Sequence, residues 1–164
     1  MSAVSDALAP GRSRPYRAIL WGWLIAGTLD ITAAFITSAF YGRGPVLLLQ
    51  GIASGLIGDS ASRGGLATAA LGLALHYFIA FVWTVVFYAA SRKLKFMVRQ
   101  PVIWGLLYGV VVYFVMNFIV LPFTFPGRIT HPLGRSLIAA ATLMVCIGLP
   151  VALVTRAFST PSES

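Results

Sequence analysis

The sequence predicts an all-α, polytopic membrane protein with four transmembrane helices and a short half-helix between the first and second spans. Of its 164 residues, 59% are hydrophobic and only 10% are charged, and the mean hydropathy is +0.88. Soluble domains carry roughly a quarter charged residues, so this chain lacks the polar surface that a soluble protein needs. The apolar residues also form four runs of membrane length, since about 20 residues cross the hydrocarbon core as a helix.

The first span is expected at about Tyr16–Tyr41, with Asp30 near its middle. A charge at the bilayer centre costs about 2.5–3.5 kcal/mol, so this carboxylate has either a function or a neutralising partner. Because Asp30 interrupts the apolar run, the sequence favours an uncleaved span over a signal peptide. The preceding residues 1–15 are small, polar and broken by Pro and Gly, and we expect them to be a disordered cytoplasmic tail.

The segment Val46–Gly58 is apolar but too short to cross a membrane, which predicts a re-entrant or interfacial half-helix. Pro45 suits the first turn of this helix, where its missing N–H has no partner to lose. Small and polar residues recur along the segment and indicate a packing face. They are Gln50, Gly51, Ser54, Gly55 and Gly58.

The other three spans are expected at about Leu66–Ser91, Pro101–Pro122 and Leu133–Phe158, which makes residues 16–158 a single membrane domain. Pro150 predicts a kink in the fourth span, because it frees the Cys146 carbonyl from its usual bond. The tail 159–164 is expected to be disordered. Small residues on these spans allow close helix approach, as does Gly27 on the first. The glycines are Gly72, Gly105 and Gly109.

The distribution of Lys and Arg predicts that both termini are cytoplasmic, because basic residues concentrate in cytoplasmic loops. The net charge of +8 is therefore interpreted as basic loops facing an anionic leaflet, and not as nucleic-acid binding. The side with the termini carries Arg12, Arg14, Arg17, Arg92, Lys93, Lys95, Arg99 and Arg156, and the other side carries Arg43, Arg63, Arg128 and Arg135.

Each span also carries one polar side chain at a similar distance from the cytoplasmic side. At about 1.5 Å per residue, these side chains lie about 20–24 Å above that side, which predicts one polar layer. Gln50 and Ser54 of the half-helix are expected to reach toward it. The layer consists of Asp30, His76, Asn117 and Thr142.

Such a layer permits three interpretations. The first is an accessory or structural membrane subunit in which the polar contacts fix helix packing. The second is a small channel or proton-coupled transporter, since a carboxylate and an imidazole at one depth, Asp30 and His76, can pass a proton. The third is a membrane redox or haem-binding subunit with His76 and Met116 as axial ligands, because His131 is expected in the outer loop.

Other chemistry finds little support in the sequence. Cys146 lies in an apolar run and is interpreted as a packing residue. No nucleophile, metal or phosphate-binding motif is present, so we expect no catalytic residue, no metal site and no cofactor. Four helices enclose little space, and we therefore expect a homo-oligomer or a larger membrane-protein partner. Aromatic residues near the cytoplasmic ends of spans 1 and 3 suggest an interfacial belt. They are Tyr16, Trp21, Trp23, Trp104 and Tyr108.

Four segments together resemble a group of small bacterial inner-membrane proteins with four spans and no assigned activity. In each segment an apolar run is marked by single polar residues. The resemblance covers the whole chain and implies a bacterial inner membrane and four helices, but no mechanism. The segments are Gly27–Asp30, Gln50–Gly55, Gly72–Phe81 and Tyr113–Asn117 followed by Leu121-Pro122.

Overall fold

The structure is a computed structural model that describes residues 15–125 and 133–159. These residues form helices and no strand, and four of the helical segments are long and apolar enough to cross a membrane. The all-α fold, with four spans and a shorter helix between the first two, is therefore confirmed. Most of the two expected tails and of the loop 123–132 that was expected on the outer side, including His131, lie outside the described residues.

The first half of the chain folds into two long helices with a short helix between them. Helix α2 has Pro45 in its first turn and ends directly before Gly58, whose φ of 66° favours glycine. The first span is α1 and the second is α3. The bounds are α1 Pro15–Phe40, α2 Pro45–Ile57, a 3-10 helix Gly58–Arg63, α3 Gly65–Lys93 and the short α4 Phe96–Arg99.

The third and fourth spans each contain one π-helical turn between two α-helical parts. The third span consists of α5 Pro101–Val115, a π-turn Met116–Val120 and α6 Leu121–Thr124. The fourth consists of α7 Leu133–Leu143, a π-turn Met144–Gly148 and α8 Leu149–Ala157.

Proline explains the π-turn of the fourth span. Pro150 has no N–H, and its ring crowds the Cys146 carbonyl, so regular α bonding cannot continue there. The preceding turn widens instead, and the Leu149 N–H donates to the Met144 carbonyl five residues back. The span thus stays helical through Pro150, with a π-turn directly before it.

The third span has a matching local sequence that also ends in a proline, Pro122. Met116–Pro122 is MNFIVLP and Met144–Pro150 is MVCIGLP, so both segments fit Met-x-x-Ile-x-Leu-Pro. In the third span the Leu121 N–H donates to the Met116 carbonyl, again five residues back. The repeated pattern and the repeated geometry indicate one local cause for both turns.

Helix α1 packs between α3 and α8. A Cβ at Gly22 would lie 3.2 Å from Thr84 of α3 and 4.0 Å from Val151 of α8. A Cβ at Gly27 would lie 3.4 Å from Ala80. Because position 22 faces 84 and position 27 faces 80, α1 and α3 run antiparallel.

Glycines also bring the third and fourth spans together. A Cβ at Gly105 would lie 2.8 Å from the Gly148 carbonyl oxygen, and a Cβ at Gly109 would collide with the Met144 backbone. Here the two backbones approach so closely that only hydrogen fits between them. The spacing of four between Gly105 and Gly109 puts both residues on the face that meets the π-turn.

The core lies among the spans and contains Tyr108. Its side chain is 8% exposed, its ring packs edge-on against Phe87, and its hydroxyl donates to the Trp83 carbonyl at 2.6 Å. The expectation that Tyr108 belongs to an interfacial belt is therefore wrong, because it shares a helix face with buried Val112 and Gly105. The buried cluster is Ala26, Phe87, Met97, Tyr108, Val112, Ile147, Val151 and Ala152.

Large apolar side chains cover the outside of every span. Examples are Leu29, Phe78, Phe114 and Leu137, which are between 45% and 62% exposed. Water would disfavour such a surface, whereas lipid matches it. The chain is that of a multi-pass integral membrane protein.

Candidate functional site

The structure brings Asp30 and His76 together in the middle of their spans. Asp30 is a half-buried residue of α1, and its carboxylate interacts electrostatically with the His76 imidazole of α3. The π-turn that contains Cys146 contacts α1, so the fourth span also borders this helix.

His76 also contacts the backbone of α1. Its Nε2 lies 2.9 Å from the Gly27 carbonyl oxygen, so the imidazole donates an N–H to a helix backbone across the interface. Gly27 allows this approach because it has no side chain. A Cβ at this position would lie 3.0 Å from the Tyr77 ring.

Tyr77 makes two further polar contacts with α1. The Trp23 Nε1 donates to the Tyr77 carbonyl at 2.6 Å, and the hydroxyls of Tyr77 and Thr28 are 2.9 Å apart. The rings of Trp23 and Tyr77 pack edge to face. The described hydrogen bonds between α1 and α3 are formed by these residues and by His76 with Gly27. Asp30 takes part in none of them.

Sequence reasoning missed Trp23, Thr28 and Tyr77 as members of this site. Thr28 directly follows Gly27 and Tyr77 directly follows His76, and the sequence indicates both Gly27 and His76 as members of the packing or polar sites. One available signal was this adjacency, because a close contact at one residue brings its neighbours within hydrogen-bonding reach. We call Trp23, Gly27, Thr28, Asp30, His76 and Tyr77 the α1–α3 polar cluster.

Three other side chains that were expected in the polar layer or near it form bonds within their own helices. The Asn117 amide donates to Tyr113 at 3.0 Å, and the Thr142 hydroxyl donates to Ile138 at 2.9 Å. The Ser54 hydroxyl donates to the carbonyl of Gly51 in α2 at 2.8 Å. These bonds are local, and none of them joins two spans.

Gln50 connects α2 to the start of α3. Its side chain is only 6% exposed, and its Nε2 donates to the Gly65 carbonyl at 3.0 Å and lies 3.4 Å from the Thr68 hydroxyl. Thr68 in turn donates to the Ala61 carbonyl at 2.7 Å. Gln50 thus holds α2 against the start of α3 and lies outside the α1–α3 polar cluster.

The glycines of α2 and α3 differ in what surrounds them. A Cβ at Gly72 would collide with the Leu49 carbonyl, so α2 lies directly on α3 at this point. A Cβ at Gly55 would lie 2.7 Å from the Thr124 side chain. At Gly51 a Cβ would meet nothing within 4 Å, so this glycine leaves an open surface.

The described residues contain no group of three or more His, Cys, Asp and Glu side chains that could hold a metal ion. His76 uses its Nε2 on a backbone carbonyl, and Met116 packs against the buried cluster. This geometry offers hydrogen bonding and proton exchange at Asp30 and His76.

Comparison with known proteins adds no relative. Neither the family models, the curated proteins nor the solved structures contain a match to this chain. What the chain does must therefore be inferred from its own contacts.

Proposed function

We propose that this protein is an accessory or structural membrane subunit in which the α1–α3 polar cluster fixes the packing of the spans. The observation that carries the proposal is the hydrogen bond from His76 to the Gly27 carbonyl at 2.9 Å. This bond joins the imidazole of α3 to the backbone of the neighbouring span, α1. Interhelical polar contacts in membranes average about 0.6 kcal/mol. Three hydrogen bonds join α1 to α3, so together they contribute about 2 kcal/mol to helix association.

The proposed setting is a bacterial inner membrane with both termini in the cytoplasm. Support comes from the basic residues, which concentrate at the end of the bundle where α1 begins and α8 ends. We further propose that the protein works as a homo-oligomer or with a larger membrane protein. The support is the size of the buried cluster, which has eight described residues, whereas large apolar side chains are exposed on the outside of every span.

The packing function predicts that Asp30→Asn lowers stability. Asparagine keeps the shape of aspartate but loses the charge that interacts with His76, so we expect a loss of roughly 1 kcal/mol or more. The measurement is thermal unfolding in detergent across about pH 5–8, the range over which histidine titrates. The expected result is a lower melting temperature than wild type at the acid end of this range, where a histidine carries the positive charge that attracts a carboxylate.

The matched control is Thr142→Val, which removes a mid-span hydroxyl that bonds only within its own helix. We expect this variant to unfold with the wild type. An Asp30→Asn protein as stable as wild type, or more stable, would contradict the packing function, since a carboxylate kept at a cost to stability is kept for another purpose.

The position of His76 beside Gly27, one helical turn from Asp30, favours one second candidate, a proton path through the bundle. An ionisable pair in the middle of transmembrane spans is a common feature of proton relays. Proton flux into proteoliposomes, followed with a pH-sensitive dye, tests this candidate. It requires flux with wild type and with Thr142→Val, and none with Asp30→Asn. Wild-type flux equal to that of empty liposomes would exclude it.

A further inference from the structure

Basic side chains gather at one end of the bundle, where α1 begins, α3 ends, α5 begins and α8 ends. The order of the spans brings these four helix ends together, although they are far apart in the sequence. All the basic residues there are exposed. We call this set the basic end. It consists of Arg17, Arg92, Lys93, Lys95, Arg99 and Arg156.

Contacts between elements show that these charges are neighbours. The short helix α4 contacts α3, α5 and α8, so Lys95 and Arg99 lie beside the ends of three spans. The Arg17 guanidinium lies over the Phe158 ring, 5.9 Å from its centroid. This contact joins the start of α1 to the end of α8.

No described carboxylate balances this charge. Among the described residues the acidic side chains are Asp30, in the middle of α1, and Asp59, in the 3-10 helix at the opposite end of the bundle. Six cations on one small surface repel one another unless anions come close. The balancing anions must therefore be supplied from outside the described chain.

Helix dipoles explain only part of the set. Arg92 and Lys93 lie in the last turn of α3 and Arg156 in the last turn of α8, where a cation is favoured. Arg99 is the last residue of α4, which also favours a cation. Arg17 lies in the first turn of α1, a positive helix end that disfavours a cation, so an external anion is the better explanation for Arg17.

Apolar side chains lie directly beside the charges. Met97 of α4 is buried and holds the helix against the bundle, whereas Leu94 and Phe96 are 44% and 43% exposed. Phe96 packs on Trp104 with ring centroids 4.5 Å apart. An amphipathic partner matches this mixture, because it brings an anionic group and an apolar chain to the same place.

We propose that the basic end is a binding surface for anionic phospholipids, which place their phosphate groups against the cations and their acyl chains against Leu94 and Phe96. The class of ligand is a diacyl phospholipid with net negative charge, such as phosphatidylglycerol. The proposal does not depend on the packing function or on which side of the membrane the basic end faces.

The test uses the full chain in nanodiscs of phosphatidylcholine, with and without phosphatidylglycerol. Thermal unfolding and native mass spectrometry report stabilisation and retained lipid. We compare Lys93/Lys95/Arg99→Gln with a control of equal charge change at the opposite end, Arg43/Arg63/Arg135→Gln. Each basic residue near a membrane surface contributes about 1 kcal/mol, or about fivefold in affinity, so the first variant should lose at least tenfold in phosphatidylglycerol retention.

Wild type and the opposite-end control should both retain phosphatidylglycerol in preference to phosphatidylcholine. A charge-conserving variant, Lys93→Arg with Lys95→Arg and Arg99→Lys, should also retain it, which separates loss of binding from loss of folding. Equal retention of both lipids by wild type, or equal losses in the two glutamine variants, would overturn the proposal. The same stabilisation by inorganic phosphate would show an anion site that does not require lipid, and would overturn it as well.

Discussion

At single positions, the effect of a side chain depends on which atoms of the neighbouring helix it meets. Gly72 and Gly51 look alike in the sequence, since both lie among small residues on apolar helices. In the structure, the Leu49 carbonyl occupies the space where a Cβ of residue 72 would lie, whereas the space beside Gly51 is open. An added methyl group should therefore have opposite effects on stability at these two positions.

We expect Gly72→Ala to destabilise the protein by about 1–3 kcal/mol, because the added methyl group pushes against backbone that has no rotamer to change. Gly51→Ala should be neutral or stabilising by up to about 1 kcal/mol, because alanine is the better helix former. Thermal unfolding of both variants in one detergent checks this pair. A Gly72→Ala protein that unfolds together with Gly51→Ala would contradict the observed contact between α2 and α3.

The candidate site was partly predictable at this scale. Helical rise alone predicts that Asp30 and His76 lie at one depth, and in the structure His76 contacts Gly27, one helical turn from Asp30. The partners of His76 and Tyr77 were not predictable, since they depend on how α1 and α3 are rotated about their axes. Hydropathy says little about rotation here, because nearly every face of these helices is apolar.

At the scale of the element, α2 is attached to α3 by a buried amide. Gln50 donates to the Gly65 carbonyl, while Ser54 bonds only within α2. The two side chains are one helical turn apart, yet only the first crosses to another element. Its loss should loosen α2 and leave the four spans in place.

We therefore predict that Gln50→Leu destabilises the seating of α2 by about 1 kcal/mol, the typical net contribution of one hydrogen bond. Hydrogen exchange measured by mass spectrometry should show faster exchange in α2 and unchanged exchange in α1. Ser54→Ala is the control and should exchange like wild type. Uniformly faster exchange across all spans in Gln50→Leu would show that α2 is not a separate unit.

The π-turns show what sequence reasoning overlooked at this scale. Pro150 alone predicts a kink, but the repeated Met-x-x-Ile-x-Leu-Pro pattern at 116–122 and 144–150 was a better signal. Two prolines in matching local sequences point to one shared way of absorbing a missing N–H. The structure shows that way to be a turn with a bond five residues back.

At the scale of the whole molecule, the number, order and approximate ends of the spans follow from the sequence. They depend on the length of apolar runs and on prolines such as Pro45 and Pro101, which act locally. The neighbour relations among the spans do not follow. They depend on glycine contacts such as Gly105 with Gly148, which no local rule determines.

The proposed orientation makes the last prediction, which single cysteines can test in a Cys146→Ser background. Leu94→Cys lies at the basic end and Ser62→Cys at the opposite end. Both positions are exposed, and neither substitution changes a charge. Because basic loops are retained in the cytoplasm, a membrane-impermeant maleimide should label Ser62→Cys in intact spheroplasts. It should label Leu94→Cys only after the membrane is permeabilised. The reverse pattern would place both termini outside, and labelling of both positions in intact spheroplasts would mean that the chain inserts in two orientations.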